Sequence, residues 1–325
     1  MTHALVTGGA GFIGSHLCER LLDAGCAVTV IDNLSTGRFE NIAHLEGRPG
    51  FRYAIEDIRN ILVIDRLASE CDVIFHLAAA VGVHKIISQP IETIEVNVGG
   101  TEIVLRTARR YRRKVVIAST SEVYGKGVRF PFHEDDDTLI GPTIRSRWSY
   151  ATSKAIDEFL ALAYHKEIGL PVVIVRLFNT VGPRQTGQYG MVMPRFVQAA
   201  LKGEPIRVYG DGQQQRCFAN VTDVVQAIHA LAEAPQAVGQ VFNVGSNEEV
   251  TILELAQRIK ARAGSSSEIA FVPYEEAYES GFEDFRRRIP SLDKIKQVIG
   301  WTPSTPLDTT IDQIIAYYRE VQSHA

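Results

Sequence analysis

A doubly wound α/β architecture, with a parallel sheet covered by helices on both faces, is predicted for this chain by three observations. Short β-branched runs alternate strictly with helix-length amphipathic segments through the first half. A glycine-rich turn, Thr7-Gly8-Gly9-Ala10-Gly11-Phe12-Ile13-Gly14, joins the first run to the first amphipathic segment. An acid, Asp32, closes the second run. Strict alternation of strand and helix implies parallel strands joined by helical crossovers.

Taken in order, Ala4–Thr7, Ala27–Asp32, Phe51–Ala54, Val73–Leu77, Val115–Ser119 and Val172–Leu177 read as strands. Between them Phe12–Ala24, Ile61–Ser69, Ile91–Tyr111 and Tyr150–Ile168 place apolar residues at helical spacing. After Leu177 the rhythm breaks. Gly182, Pro183, Gly187, Gly190 and Pro194 punctuate a polar stretch, followed by a helix at Arg195–Lys202 and a turn at Gly210-Asp211-Gly212. Val241–Val244 reads as one more strand of the sheet, Ile252–Ala263 as a helix, and the end as short helices among Pro273, Pro290 and Pro303. The expected division is a dinucleotide-binding unit at 1–179, with 217–247 returning to it, and a smaller lobe from 180–216 and 248–325.

Composition narrows the function. The 325 residues are 45% apolar and 22% charged, with a formal net charge of −4, which describes a globular chain rather than a disordered one. So balanced a charge gives no global attraction to nucleic acid or anionic lipid. No apolar run approaches the roughly 20 residues of a membrane helix, and the N-terminus reads directly as a strand, without an export signal. Cys18, Cys26, Cys71 and Cys217 lie far apart without metal-ligand spacing, so no metal is expected and reduced thiols in the cytoplasm are. The basic run Arg109–Lys114 closes a helix and suits the negative end of its dipole.

The glycine turn carries the first chemical expectation. Gly8 permits a tight turn, Gly11 lets backbone approach a pyrophosphate, and Gly14 allows close packing of helix on strand. Amides at the helix start, around Phe12 and Ile13, offer donors and positive potential. Asp32, with Asn33 after it, can accept from both ribose hydroxyls and repel a 2′-phosphate, which favours NAD. Asp57-Ile58, at the end of the third strand, suits an adenine contact.

Tyr150 and Lys154 form Tyr-x-x-x-Lys at a helix start, so i and i+4 share one face. A free phenol ionises near pH ~10. A neighbouring ammonium and an oxidised nicotinamide would both favour phenolate, making Tyr150 a general base. Thr120, ending the fifth strand, can offer its hydroxyl to the same substrate oxygen. The expected act is removal of a proton from an alcohol while hydride leaves to the nicotinamide.

With these residues in view the chain resembles the extended short-chain dehydrogenase/reductases that act on nucleotide sugars as epimerases, dehydratases or decarboxylases, with a Rossmann-type sheet and a smaller mixed C-terminal substrate lobe. The resemblance spans the whole length, through TGGAGFIGSHL, DNLSTGR, FHLAA (Phe75 to Ala79, including Leu77 and Ala78), STSEVYG, YATSK, RLFNTVGPRQ, VYGDGQQQRCF and VTDV. It implies NAD lying along Leu77, Ala78 and Ala79, and a UDP-sugar whose diphosphate meets Asn179 and Arg216. Arg184, the Arg286–Arg288 run with Arg287 at its centre, and Lys85 are further substrate candidates. Family members also dimerise through the helices matching Ile91–Tyr111 and Tyr150–Ile168, so a homodimer is expected.

The shared first step in that family is oxidation of the hexose at C4, and Thr120-Ser121-Glu122 is where members part. Dehydratases carry Thr-Asp-Glu; Ser121 removes the acid that would protonate a leaving hydroxyl. Thr-Ser-Glu-Val-Tyr-Gly, Arg-Trp-Ser-Tyr and Gln-Arg-Cys-Phe resemble UDP-glucuronate decarboxylases, including the enzyme of the 4-amino-arabinose pathway. There a C4 ketone turns the C5 carboxylate into a β-keto acid that releases CO2. Glu122, buried beside that carboxylate, would be favoured in its neutral form and could shuttle a proton. Simpler decarboxylases carry Tyr-Asp-Glu-Gly-Lys where this chain has Tyr150-Ala151-Thr152-Ser153-Lys154. That departure keeps a nucleotide-sugar 4-epimerase as the alternative.

Overall fold

A computed structural model describes residues 1–82, 86, 88–187, 191–273, 276 and 286–323. Seven strands form one parallel sheet: β1 (His3–Thr7), β2 (Ala27–Asp32), β3 (Phe51–Ile55), β4 (Val73–His76), β5 (Lys114–Thr120), β6 (Val172–Leu177) and β11 (Gln240–Val244). Their spatial order is β11-β6-β5-β4-β1-β2-β3. Order therefore reverses between β1 and β4, and the C-terminal ends of these two strands flank a crevice of the kind that receives ligands in open parallel sheets.

Two apolar layers hold the sheet. On one face α1 (Phe12–Asp23) packs with α8 (Val221–Glu233), and Leu17, Leu21, Val224 and Ile228 join Val6, Val30 and Val175 of the strands. The other face carries α3 (Ile61–Ser69), α5 (Gly100–Tyr111) and α6 (Trp148–Ile168), through Ile64, Leu105 and Ala161. Strands buried on both faces explain the continuous β-branched runs. A further short helix, α2 (Glu40–Ala43), follows β2.

The segment expected as one helix from Ile91 is three pieces: α4 (Pro90–Ile94), a π-helical turn at Glu95–Gly99, and α5. The extra residue of the π turn carries Asn97, which is buried. Its Oδ1 accepts from Ala80 N at 2.8 Å and its Nδ2 donates to Ser153 Oγ at 3.1 Å. The bulge thus ties the strand-β4 loop to the helix that bears Tyr150.

A third apolar cluster organises the smaller lobe. Here α7 (Val192–Lys202), α9 (Ile252–Ala263) and α11 (Leu307–Ser323) enclose Phe196, Leu255, Ile311 and Ile314 against β8 (Ile206–Tyr209). The last helix runs 17 residues, where only short helices were expected. Two small sheets finish the lobe: β8 with β13 (Ile269–Val272), and β9 (Gln215–Cys217) between β12 (Glu249–Thr251) and β14 (Arg287–Arg288). The two-residue strands β7 (Thr180–Val181) and β10 (Ala219–Asn220) pair at the junction, and α10 (Asp293–Ile299) precedes α11.

Two residues of the basic run after α5 are used internally. Arg113 donates to the last carbonyls of α3, Ala68 and Ser69, and Lys114 to Ala232 of α8. Both cap negative helix ends.

Candidate active site

A cleft of about 500 Å³ opens over the C-terminal ends of β1, β2, β4, β5 and β6 and reaches into the smaller lobe. Its floor at one end is the glycine turn. Gly8 has φ +72°, and its amide donates to Ile31 O at 2.8 Å, fixing the turn to β2. A Cβ at Gly14 would collide with the Gly8 carbonyl, so α1 starts close against β1 with its first amides facing the cleft. The cradle has the shape a dinucleotide pyrophosphate requires.

Asp32 lines the same end. Burial raises its pKa, against which the amides of Ala10 (2.9 Å to Oδ2) and Leu34 (2.8 Å to Oδ1) stabilise the carboxylate. Asp57 lies beyond, gripped by the Arg59 guanidinium at 2.8 Å and by Asn33 Nδ2 at 2.9 Å. Arg59 holds its pKa down to about 2. Phe12, Ile13, Ile58, Leu77, Ala78 and Ala79 also line this end, so every expected cofactor residue except Lys154 borders the cleft.

His76, ending β4, sits beneath the site, buried between the hydroxyls of Thr7 (2.8 Å) and Thr101 (3.0 Å). Burial, with the nearby Lys154 charge, lowers its pKa to about 3. An unfolded chain takes up that proton near pH ~6.5. Between those values the unfolded state binds more protons, so acid favours unfolding, with a limiting slope of about 1.4 kcal/mol per pH unit. Urea midpoints followed from pH 7 to 5 are expected to fall, and His76→Gln to flatten the fall; parallel curves for the two proteins would contradict this.

The reacting end lies where β5 stops. Thr120 caps the short 3₁₀ turn Ser121–Tyr124, its Oγ1 accepting from Glu122 N at 3.2 Å, and Thr120, Ser121 and Glu122 all line the cleft. Tyr150, in the first turn of α6, lines it too. Its phenol is pushed well up by burial and by the Glu122 charge; a hydrogen bond from Thr120 and the Arg288 charge act the other way. The expected help from Lys154 takes a different form. Lys154 is buried one turn along, outside the cleft lining, with Nζ 2.7 Å from Asp157 Oδ2.

Glu122 lies between two guanidiniums, 3.3 Å from Arg288 Nη1 and 3.7 Å from Arg147 Nη2. The sequence points to Arg147 only within the Arg-Trp-Ser-Tyr stretch and to Arg288 only within the Arg286–Arg288 run. Arg147 precedes α6 by one residue, where no periodicity marks it. Arg288 neighbours the expected Arg287 on β14, and successive strand residues face opposite ways. Arg287 accordingly pairs with Glu249 (2.6 Å) and is absent from the cleft lining, whereas Arg288 faces in and donates to Asn179 Oδ1 at 2.9 Å.

Asn179 reaches across to Cys217 O at 2.9 Å, and Arg216 is buried in the cleft wall of the smaller lobe. Arg195 stacks over Tyr209 at 4.4 Å, and both line that end with Arg207. Arg184 lines the cleft but faces α1, 2.6 Å from Glu19 and 3.3 Å from Ser15, at the glycine-turn end. Lys85 lies outside the described residues. Among the described residues no group of His, Cys, Asp and Glu has the makings of a metal site.

A family profile described as GDP-mannose 4,6 dehydratase matches residues 5–314. The chain belongs to this family of extended short-chain dehydrogenase/reductases. Within it, the UDP-N-acetyl-alpha-D-glucosaminuronate decarboxylase of Bacillus cytotoxicus is 44% identical over 321 residues, covering 98% of each chain. UDP-glucuronic acid decarboxylase 1 of Danio rerio is 38% identical, over 99% of this chain and 74% of that one. Among solved structures, UDP-glucuronic acid 4-epimerase from Bacillus cereus, in complex with UDP-glucuronic acid and NAD, superposes with a TM-score of 0.87 at 28% identity, covering 98% and 100%. Proteins named for different sugar chemistries, decarboxylases and a 4-epimerase among them, are thus similar to this chain over nearly its whole length.

Proposed function

We propose that this protein is an NAD-dependent UDP-hexuronate decarboxylase: it oxidises UDP-glucuronate at C4, releases CO2 and returns a UDP-pentose. The observation that carries this is Glu122 set between Arg147 and Arg288 beside Tyr150. Two guanidiniums at the reacting end suit a sugar that bears a carboxylate. The decarboxylase relatives support the same reading.

When bound, NAD supplies the acceptor for the C4 hydride and the donor that returns it. The glycine turn and Asp32 would hold its pyrophosphate and ribose, with Asp57 and Ile58 toward the adenine and Arg184 at the phosphate end. Tyr150 Oη takes the C4 hydroxyl proton, with Thr120 sharing the substrate oxygen. Once C4 is a ketone, the C5–C6 bond breaks, its electron pair passes into the ketone oxygen, and CO2 leaves. Arg147 and Arg288 orient the carboxylate before that step, and C5 then gains a proton from the Glu122–Arg288 side. Asn179 and Arg216 meet the diphosphate, and the Arg195–Tyr209 wall adjoins the nucleoside.

The division at 1–179 with 217–247, against 180–216 with 248–325, belongs to this reading. So does a homodimer, favoured by Ile91 and Ile94 on α4 and Ile156 and Phe159 on α6, all exposed on neighbouring helices. No helix among the described residues is long and apolar enough to cross a membrane. Four free cysteines suit a reducing cytoplasm.

Incubation with UDP-glucuronate and NAD, read by mass spectrometry, tests the proposal. The expected product is lighter by CO2, with no net NADH. An isobaric product would make the protein a 4-epimerase. UDP-N-acetylglucosaminuronate is the second substrate to offer, because the 44% identical relative is named for it.

A further inference from the structure

We propose that Asp157 is a positioning residue for the reaction: its carboxylate holds the Lys154 ammonium one helical turn from Tyr150 and balances its charge there. The assignment rests on the NAD-dependent reading above, though not on the identity of the sugar.

The geometry is specific. Lys154 and Asp157 lie three residues apart on α6, their side chains 2% and 0% exposed, with Nζ to Oδ2 at 2.7 Å. An ammonium has three donors. One is used on Asp157, and the side chain is buried, so its charged end is fixed relative to Tyr150 one turn earlier. A buried pair of this kind is no assured source of stability, since desolvation of both ions offsets their attraction. Its benefit is in placement.

Asp157 is itself anchored from other elements. Thr101 of α5 lies beside the carboxylate and, with Lys154, favours its charged form against burial and the like charge of Glu158, while Asp157 Oδ1 is buried without a hydrogen-bond partner among the described residues. The Thr101 hydroxyl is also 3.0 Å from His76 Nε2, and His76 Nδ1 is 2.8 Å from Thr7 Oγ1. Thr7 in turn accepts from Ala78 N at 3.2 Å in the cleft wall. One buried polar chain thereby joins α5, β4 and β1 beside the Lys154–Asp157 pair.

The charged groups that Tyr150 feels are Glu122 from the 3₁₀ turn, Arg288 from β14 and Asp157 from α6. Glu122 and Asp157 both disfavour phenolate; Arg288 favours it. Removing the Asp157 charge while keeping its shape should therefore ease ionisation of Tyr150 and, separately, loosen Lys154.

Asp157→Asn in the full-length protein tests this with two readouts that need no sugar. Fluorescence titration with NAD is expected to show binding about five-fold weaker. Phenolate absorbance of the NAD-saturated protein, taken as the difference from the matching Tyr150→Phe background, is expected to titrate about 0.5 pH unit lower. Asp157→Ser, smaller, uncharged and still able to accept a hydrogen bond, repeats both measurements if Asn is poorly accommodated. A merely structural residue would change the melting temperature alone. Unaltered NAD affinity and an unaltered Tyr150 midpoint in a folded variant would overturn the assignment, whatever sugar the enzyme proves to use.

Discussion

Tyr150→Phe is expected to lower turnover of the nucleotide uronate by about 10³-fold while leaving the fold and NAD affinity close to native. The substitution deletes one oxygen and retains the ring, so the first turn of α6 keeps its packing. What is lost is the acceptor for the C4 hydroxyl proton. Thr120 borders the same space, but a hydroxyl so weakly acidic cannot take that proton at neutral pH, and Glu122 is engaged by Arg147 and Arg288. The native enzyme should also show an acid limb in its pH profile. Burial and the Glu122 charge raise the phenol, so the active fraction grows with pH, and the positive nicotinamide of bound NAD draws it back toward neutrality. Single-turnover formation of NADH, followed by absorbance, measures the step directly. A loss below about ten-fold would mean that some other group takes the proton.

That reaction centre was legible in the sequence to the extent that local rules carry it. Gly8, Gly11 and Gly14 announce their purpose because a strand precedes them and a helix follows. Tyr150 and Lys154 do so because helical spacing puts them on one face. The six strands before residue 180 could be read because burial on both faces makes them β-branched throughout. Where structure depends on distant partners, the sequence was mute. The sheet β12-β9-β14 joins strands of two and three residues from 215, 249 and 287, too short for any periodicity to register. Its register decides that Arg288 faces the cleft and Arg287 faces Glu249. Helix α8 went unread because it falls after residue 180, where strand and helix no longer alternate, although nine of its 13 residues are buried. The π turn at Glu95–Gly99 was hidden for another reason: Asn97 looks like an ordinary polar helix residue until its partners, Ala80 and Ser153, are known.

The arginines revealed in this way change what Glu122 can do, and Glu122→Gln exposes the difference. In the resting site the carboxylate neutralises Arg147 and Arg288. An incoming hexuronate carboxylate must compete for those guanidiniums. Glutamine keeps the side-chain shape without the charge, so the substrate acid should be held more tightly, with KM lowered about three-fold. Turnover should nevertheless fall about 10²-fold, because C5 loses the carboxyl group that relays its proton. Removing the negative charge also eases ionisation of Tyr150, so the acid limb should move to lower pH. The sign of that movement follows from Glu122 raising the phenol in the native site. A 4-epimerase would respond otherwise: no bond at C5 changes during epimerisation, so kcat would stay within a few-fold of native. Steady-state kinetics on UDP-glucuronate, with solvent-deuterium incorporation at C5 read by NMR, separates the two. Native-like kcat together with undiminished deuterium at C5 would remove Glu122 from the chemistry and leave it as a counter-ion for two arginines.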